Sequence, residues 1–232
     1  MNLIKKLIRL SQPPSLALNT AARKNYRKFS ELVRLNNSTP LVLCLGSGEK
    51  SGAGMAGLAG VIKDKMVCLD IAAVPDIDVN GDGQYLPFKG EIFDGVIIQA
   101  VLEHVQKPFR IIRESARILK TGGYIYVETP FLQAEHGATD YQRYTLDGLK
   151  NLLKDFRLVQ SGVCVGPTAA LINNAHSYFS LLFSLNMEIL WKFWRVIFGW
   201  FFFPFKYLDL LAAGIDKASL SAGAFYYLGR KQ

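Results

Sequence analysis

The sequence predicts an α/β fold built on a doubly wound, mostly parallel sheet, and three observations carry that expectation. Short apolar runs of strand length recur at Leu41-Val42-Leu43-Cys44-Leu45, Met66-Val67-Cys68-Leu69 and Val96-Ile97-Ile98, unbroken by the polar alternation that a half-exposed strand would show. Helical periodicity separates later runs of the same kind, and strand, helix, strand in alternation implies parallel crossovers. The first run ends in Gly46-Ser47-Gly48, a tight turn at the carboxyl end of a strand, where open α/β sheets bind their ligands.

In chain order, residues 1–10 set Leu3, Ile4, Leu7, Ile8 and Leu10 at helical spacing among Lys5, Lys6 and Arg9, a short basic amphipathic helix able to lie on a membrane surface. Pro13-Pro14 stops it. A second basic helix over about 21–35 hands over through Asn36-Asn37-Ser38-Thr39-Pro40 to the first strand. Beyond Gly48 the glycines at 52, 54, 57 and 60 weaken any helix. Residues 66–70 read as a strand ending in a carboxylate, 79–88 as a loop, and 93–99 as a third strand. Residues 108–119 follow the helical period with Phe109, Ile112, Ala116 and Leu119 on one side and Pro108 at the first helical position. Thr121-Gly122-Gly123 is expected to end that helix before a strand over 124–127. Thr145 suits the cap of a helix over 145–153, and 156–165 and 224–228 read as strands.

Before the last strand lies an apolar helical insertion. Across 177–211, rich in Phe, Trp, Leu and Ile, the residues Ser184, Glu188, Lys192, Arg195 and Gly199 recur every three or four positions, giving a helix one narrow polar stripe. Glu188 and Lys192 suit an i, i+4 pair. The longest uncharged runs, 177–187 and 196–205, fall short of the roughly 20 residues a spanning helix needs. The expectation is a helix or helical hairpin lying in the membrane interface or capping a greasy pocket, with a true span and an ordinary lid on the core as the alternatives. The organisation is therefore a basic arm (1–40), a core (41–165), the insertion (166–222) and a final strand (223–232).

Half of the 232 residues are apolar, ample for a full core and unlike a disordered chain. Of the formal charge of +8, residues 1–40 hold +7, eight basic side chains against Glu31. Such an arm suits anionic lipid, or is simply a solvated helix face. Nucleic acid is not an expected partner, because the core lacks an Asn/Asp-Pro-Pro-Tyr/Phe motif and an aromatic platform interleaved with Lys and Arg. Cys44, Cys68 and Cys164 are odd in number and unpaired in spacing, reading as buried packing residues of a reduced protein. With three histidines besides, no metal site is expected. No unbroken apolar leader opens the chain, so a cytoplasmic location is expected.

Asp70 follows Gly48 by 22 positions at the end of the next strand, where a carboxylate can accept hydrogen bonds from both hydroxyls of a ribose. Strand, glycine turn and acid together point to a nucleoside-bearing cofactor. A dinucleotide fingerprint would need a glycine or alanine where Ser51 stands, and a P-loop would need glycine directly before Lys50-Ser51, where Glu49 stands. A nicotinamide-dependent reductase is thereby disfavoured.

The segments 41–48, Asp70, Gly81-Asp82-Gly83-Gln84-Tyr85-Leu86-Pro87-Phe88, Phe93-Asp94-Gly95-Val96, Val101-Leu102-Glu103-His104-Val105, Arg117-Ile118-Leu119-Lys120-Thr121-Gly122-Gly123 and Pro130 resemble, in order and spacing, class I S-adenosylmethionine-dependent methyltransferases of the methyltransferase type 11 group. The resemblance implies the Rossmann-like fold of that class and S-adenosyl-L-methionine as cofactor. It implies that Gly46, Ser47 and Gly48 pass under the methionine and ribose, that Asp70, with Ile71 beside it, holds the ribose hydroxyls, and that Asp82 and Gly83 meet the adenine edge. Gln99 and Ala100 should face the methionyl end, and His104 should shape the cofactor pocket. The stretch 130–144, with His136, Tyr141 and Arg143, resembles the acceptor side of that group. His136 is then a base or acceptor-orienting group, or a loop histidine bonded to Asp140. Tyr141 and Arg143 orient an acceptor, unless Arg143 pairs with Asp140 or Glu135 to hold the loop. His176 reads as a helix-start or surface residue. The resulting expectation is a methyltransferase acting on a small-molecule, glycan or lipid-linked acceptor at the inner membrane surface. The alternative is a membrane-associated binding protein of the same fold without transfer activity.

Overall fold

The computed structural model describes residues 12–48, 58, 62, 65–74, 77–135, 137, 139–212 and 214–232. The expected helix over 1–10, Ser51 and His136 lie outside the described residues. The chain divides into two compact units: Ala21–Phe131, His136–Cys164 and Ala224–Gln232 form one, and Met1–Thr20, Leu132–Glu135 and Val165–Gly223 form the other.

The first unit is organised by a seven-stranded sheet. β1 (Leu41–Leu45), β2 (Lys65–Asp70), β3 (Val79–Asn80), β4 (Phe93–Gln99), β5 (Leu119–Pro130), β6 (Phe156–Val165) and β7 (Ala224–Lys231) lie in the order β3-β2-β1-β4-β5-β7-β6. β1 pairs in parallel with β2 and β4, β2 with β3, and β4 with β5, whereas β7 runs antiparallel to β5. The chain thus steps outward from β1 to β3 and returns to β4 on the opposite side of β1. That reversal opens a crevice at the carboxyl ends of β1 and β4.

Burial explains the strand composition. Val42 to Leu45 of β1, Val96 to Ile98 of β4 and Ile125 to Val127 of β5 are buried, as strands covered on both faces must be. Helix α1 (Ala22–Asn36) lays Tyr26, Phe29 and Val33 against this core. Gly95 makes room for it, since a Cβ there would stand 2.6 Å from Cζ of Phe29.

Two expectations about this unit need correction. Helix α2 (Pro108–Ile118) buries Pro108, Ile111, Ile112, Ser115 and Ile118 and leaves Phe109 exposed, so its inner face is set around small Ser115 and not by Phe109 and Ala116. Thr121-Gly122-Gly123 does not end that helix but belongs to β5, where the register against β4 shifts and Gly122 takes φ +81°; the glycines make a bulge, not a start. Val79 and Asn80, expected in a loop, form the edge strand β3, which is too short for any periodicity to reveal. Helix α3 (Leu146–Leu152) starts as expected at Thr145, whose Oγ1 accepts from the Gly148 amide at 3.1 Å.

The second unit holds α4 (Pro167–Leu182), α5 (Glu188–Phe202) and the short helix α6 (Asp209–Ala212). α4 and α5 are joined by a turn in which Leu185 and Asn186 take positive φ. Ser184 sits in that turn, so the expected polar stripe is interrupted there. His176 is buried within α4, its Nε2 2.9 Å from the Arg195 carbonyl, neither a helix start nor a surface residue. The amides of Thr168 and Ala169 donate to the buried Asp209 carboxylate at 2.7 and 3.0 Å, which satisfies donors at the start of α4. Phe179, Phe183, Trp194 and Phe198 stack between α4 and α5. Outward, α5 presents Ile189, Phe193, Ile197, Trp200 and Phe201. Among the described residues no helix is long and apolar enough to cross a membrane.

Candidate functional site

A cleft of about 460 Å³ opens where the sheet order reverses, lined by Gly46, Asp70, Ile71, Asp82, Gln84 and Ala100, and farther along by Val101, His104, Val105, Gln106, Thr139 and Tyr141. Its volume falls within the roughly 300–1,000 Å³ of small-molecule sites.

The glycine turn forms one wall because the end of β2 ties it down. The amides of Gly46 and Ser47 donate to the Leu69 carbonyl at 2.8 and 3.3 Å, and the Gly48 amide donates to Oδ2 of Asp70 at 2.8 Å. Gly46 and Gly48 take φ of +68° and +57°, which glycine adopts without steric cost. At Gly46 a side chain is also excluded by space, since a Cβ would stand 2.2 Å from Cγ2 of Val101. Oδ1 of Asp70 accepts from the Ala72 amide at 2.9 Å. Each carboxylate oxygen has a further lone pair, so the group can still receive a ligand diol. Asp82 closes an Asx turn by accepting from the Gln84 amide at 2.8 Å.

Ala100, at the carboxyl end of β4, takes φ +51° while its amide donates to the Glu128 carbonyl at 3.0 Å. A non-glycine residue held there is strained by about 1–2 kcal/mol, and such residues cluster at binding sites. Gln99 does not line the cleft; its side chain bonds Tyr26.

The far wall is a 3-10 turn, Leu102–His104, strapped to the segment 139–143. The Tyr141 amide donates to the Glu103 carbonyl at 2.7 Å, and Gln142 Nε2 donates to the carbonyls of Leu102 and Val105, each at 2.9 Å. His104 Nδ1 contacts the Thr139 carbonyl. The Tyr141 hydroxyl accepts from Gln106 Nε2 at 3.2 Å. Arg143 pairs with Asp140 through both guanidinium nitrogens and lies off the cleft. Beneath the turn Glu103 is fully buried, and burial pushes its carboxyl up to about 6, against the pull of His104 and Arg143. Burial, and then Glu103, push the neighbouring Tyr144 phenol up to about 12.

Of the residues singled out in the sequence, the cleft therefore gathers Gly46, Asp70, Ile71, Asp82, Ala100, His104 and Tyr141. Ser47, Gly48 and Gly83 stand beside it in the same turns, while Arg143 and Gln99 face elsewhere. Val101, Val105 and Gln106 flank the Leu-Glu-His motif and carried no chemical signal of their own. Thr139 joins the site only because the 139–143 strap folds back.

Residues 43–127 match the family model described as a methyltransferase domain. That stretch of the chain is similar to a methyltransferase domain. Its fold is that of class I methyltransferases, and the cofactor of such domains is S-adenosylmethionine. The donor set fits that cofactor: a glycine cradle without room for Cβ at Gly46, a carboxylate at the end of β2, and no Lys or Arg among the described lining residues to suit a pyrophosphate. Solved structures resemble the chain in fold. MccD protein aligns with TM-score 0.58 at 12% identity over 95% of this chain and 100% of that one. The 1,6-didemethyltoxoflavin-N1-methyltransferase of Burkholderia thailandensis, solved with 1,6-didemethyltoxoflavin and S-adenosylhomocysteine, aligns with TM-score 0.52 at 14% identity over 91% and 79%. The [4+2]-cyclase SpnF aligns with TM-score 0.51 at 15% identity over 88% and 80%. In sequence, 45 residues are 47% identical to protein MJ1123 of Methanocaldococcus jannaschii. The match spans 19% of this chain and 22% of that relative.

Proposed function

We propose that the protein is an S-adenosylmethionine-dependent methyltransferase that modifies a small-molecule, glycan or lipid-linked acceptor at a membrane surface. The observation that carries the reading is Asp70, which ends β2 facing the Gly46 to Gly48 turn in a cleft lined by two carboxylates and, among its described residues, no cation. When bound, the cofactor supplies an electrophilic methyl group on a positively charged sulfur. Asp70 holds the ribose, the backbone at Gly46 and Ala100 borders the methionyl portion, and Tyr141 faces the acceptor. Most of the acceleration of such an in-line displacement comes from alignment, and the strapped 3-10 turn supplies rigidity for it.

The acceptor class is inferred from the second unit. An ordinary surface helix turns polar residues outward, whereas α5 turns Ile189, Phe193, Ile197, Trp200 and Phe201 outward, the pattern of a helix lying in a lipid interface. The +7 charge of residues 1–40 favours an anionic leaflet.

The test is calorimetry with S-adenosylhomocysteine, followed by incubation with methyl-tritiated S-adenosylmethionine and membrane extract. Binding that is lost in Asp70→Ala, with label entering an organic-soluble product, is the expected outcome; a wild-type protein that ignores the cofactor at millimolar concentration rejects the reading. SpnF, a [4+2]-cyclase of similar fold, favours one second reading, a cofactor-binding protein without transfer. Binding with no labelled product would support it.

A further inference from the structure

Resting on the membrane-surface reading, we propose that the turn joining α4 to α5 is where the protein enters an anionic phospholipid leaflet, tip first, with residues 181–187 among the acyl chains. Leu181, Leu182, Phe183, Leu185 and Met187 are all exposed, Leu185 by 76%. No charged side chain stands between Ser177 and Met187. Exposed apolar residues gathered in this density mark a surface that is covered in use.

A turn can leave water only if its backbone polar groups find partners within the protein, and this one closes on itself. The Phe183 and Ser184 amides donate to the carbonyls of Phe179 and Leu181 at 3.1 Å each, and the Met187 amide donates to the Ser184 carbonyl at 2.8 Å. Ser184 Oγ donates to the Leu181 carbonyl at 2.7 Å and accepts from the Asn186 amide at 3.2 Å. Buried among exposed apolar neighbours, Ser184 thus supplies the hydrogen bonds that water would otherwise make. Behind the tip, the stack of Phe179, Phe183, Trp194 and Phe198 holds the two helices together, so the wedge is preformed.

The first charges of α5 set the depth. Glu188 turns its carboxylate one helical turn along α5 to Lys192, 2.6 Å away, and Arg195 follows. At about 1.5 Å per residue, Lys192 stands about 8 Å and Arg195 about 12 Å along the helix from Met187. Cations held at the lipid phosphates therefore leave the tip about 5–10 Å deeper, the depth that interfacial helices reach. No side chain caps the start of α5, and at this depth its first amides still meet headgroup oxygens and water. Two cations against one acid complement an anionic leaflet. α5 then slopes away from the tip, its first turns immersed most deeply.

Cys44, Cys68 and Cys164 are buried, so a thiol-reactive, polarity-sensitive fluorophore reports from a single introduced cysteine. Leu185→Cys places it at the tip, Phe201→Cys near the far end of α5, and Leu35→Cys on α1 as a control, each with a thermal melt to confirm folding; Leu182→Cys replaces Leu185→Cys should that variant not fold. On vesicles of phosphatidylglycerol and phosphatidylcholine the tip label is expected to shift to the blue. Nitroxides on the acyl chains should quench it at least about twofold more than the Phe201→Cys label, and the control label hardly at all. Leu182→Asp/Leu185→Asp should lower vesicle affinity at least about tenfold, since both apolar side chains are lost from the acyl layer. Equal quenching at the two α5-hairpin sites, or unchanged affinity of the double variant, overturns this proposal alone. A blue shift that needs no vesicles and grows with protein concentration puts a second copy of the chain on the tip and likewise overturns it. A wild type that binds no vesicles overturns the membrane reading and this proposal together.

Discussion

Glu103 is the residue at which burial and charge conflict most openly. Its carboxyl titrates near about 6 where 4.5 is ordinary, chiefly because burial penalises the charged form. The unfolded chain therefore ionises this group first, so the native state keeps its full advantage below about pH 4.5 and loses it as pH rises through about 6. At 1.36 kcal/mol for each pKa unit, the loss amounts to about 2 kcal/mol. Glu103→Gln should accordingly gain up to about 2 kcal/mol on wild type between pH 4 and pH 8 in urea unfolding; a difference that is flat with pH would reject this account. Asp70 offers the complementary case, a carboxylate held by backbone amides at 2.8 and 2.9 Å on the cleft wall. Hydrogen bonds to a charged group contribute about 1.5–3 kcal/mol each, so Asp70→Asn should weaken S-adenosylhomocysteine binding at least about tenfold by calorimetry, and unchanged affinity would remove Asp70 from the site. Asp70 was legible in the sequence because a carboxylate closing an apolar run has few other reasons to be there. Thr139 was not, because its part in the site is a backbone carbonyl that any residue would supply.

Among the elements, the glycine turn after β1 and the 3-10 turn after β4 face each other and fit together through Gly46 and Val101. Gly46→Ala combines a backbone strain with a 2.2 Å overlap on Val101. Gly48→Ala carries only the strain, since nothing lies within 4 Å of a Cβ there. The first should be destabilised by about 2–4 kcal/mol and the second by about 1–2, and thermal melts with and without S-adenosylhomocysteine would separate them; equal losses would mean that the Val101 contact yields freely. The same elements show how far periodicity reads. The strand at 41–45 and the helix at 22–36 appear in the apolar pattern because each packs its whole apolar face. The inner face of α2 was misplaced by a residue, because Ser115 is buried where small size matters more than hydropathy. The bulge at Gly122 looked like a helix end, because glycine marks both.

At the scale of the whole molecule, the first unit buries most of its large apolar residues, with exceptions such as Leu35, Ile71 and Phe109, while the second turns many of them outward. Flotation with anionic vesicles should recover the wild-type protein and lose Ile189→Glu/Phe193→Glu/Phe201→Glu, with cofactor affinity unchanged within about twofold. Association that is equal for both, or for neutral and anionic vesicles alike, would count against a lipid surface and its charge component respectively. The hairpin itself was foreseen as one of two forms. Its break at 183–187 depends on positive φ at Leu185 and Asn186, conformations that neither residue advertises.

What the amino-acid order determined alone was the central strands of the sheet, the glycine turn, the acid that closes β2 and the family these resemble, because each is written in residues close together in the chain. Only the tertiary structure decided that the Thr139 carbonyl would meet His104, that Glu103 would be buried in the turn, and that Asp209 would cap a helix some forty residues before it. Those arrangements join distant segments through backbone groups and burial, and neither has a signature in the side chains as they are read one after another.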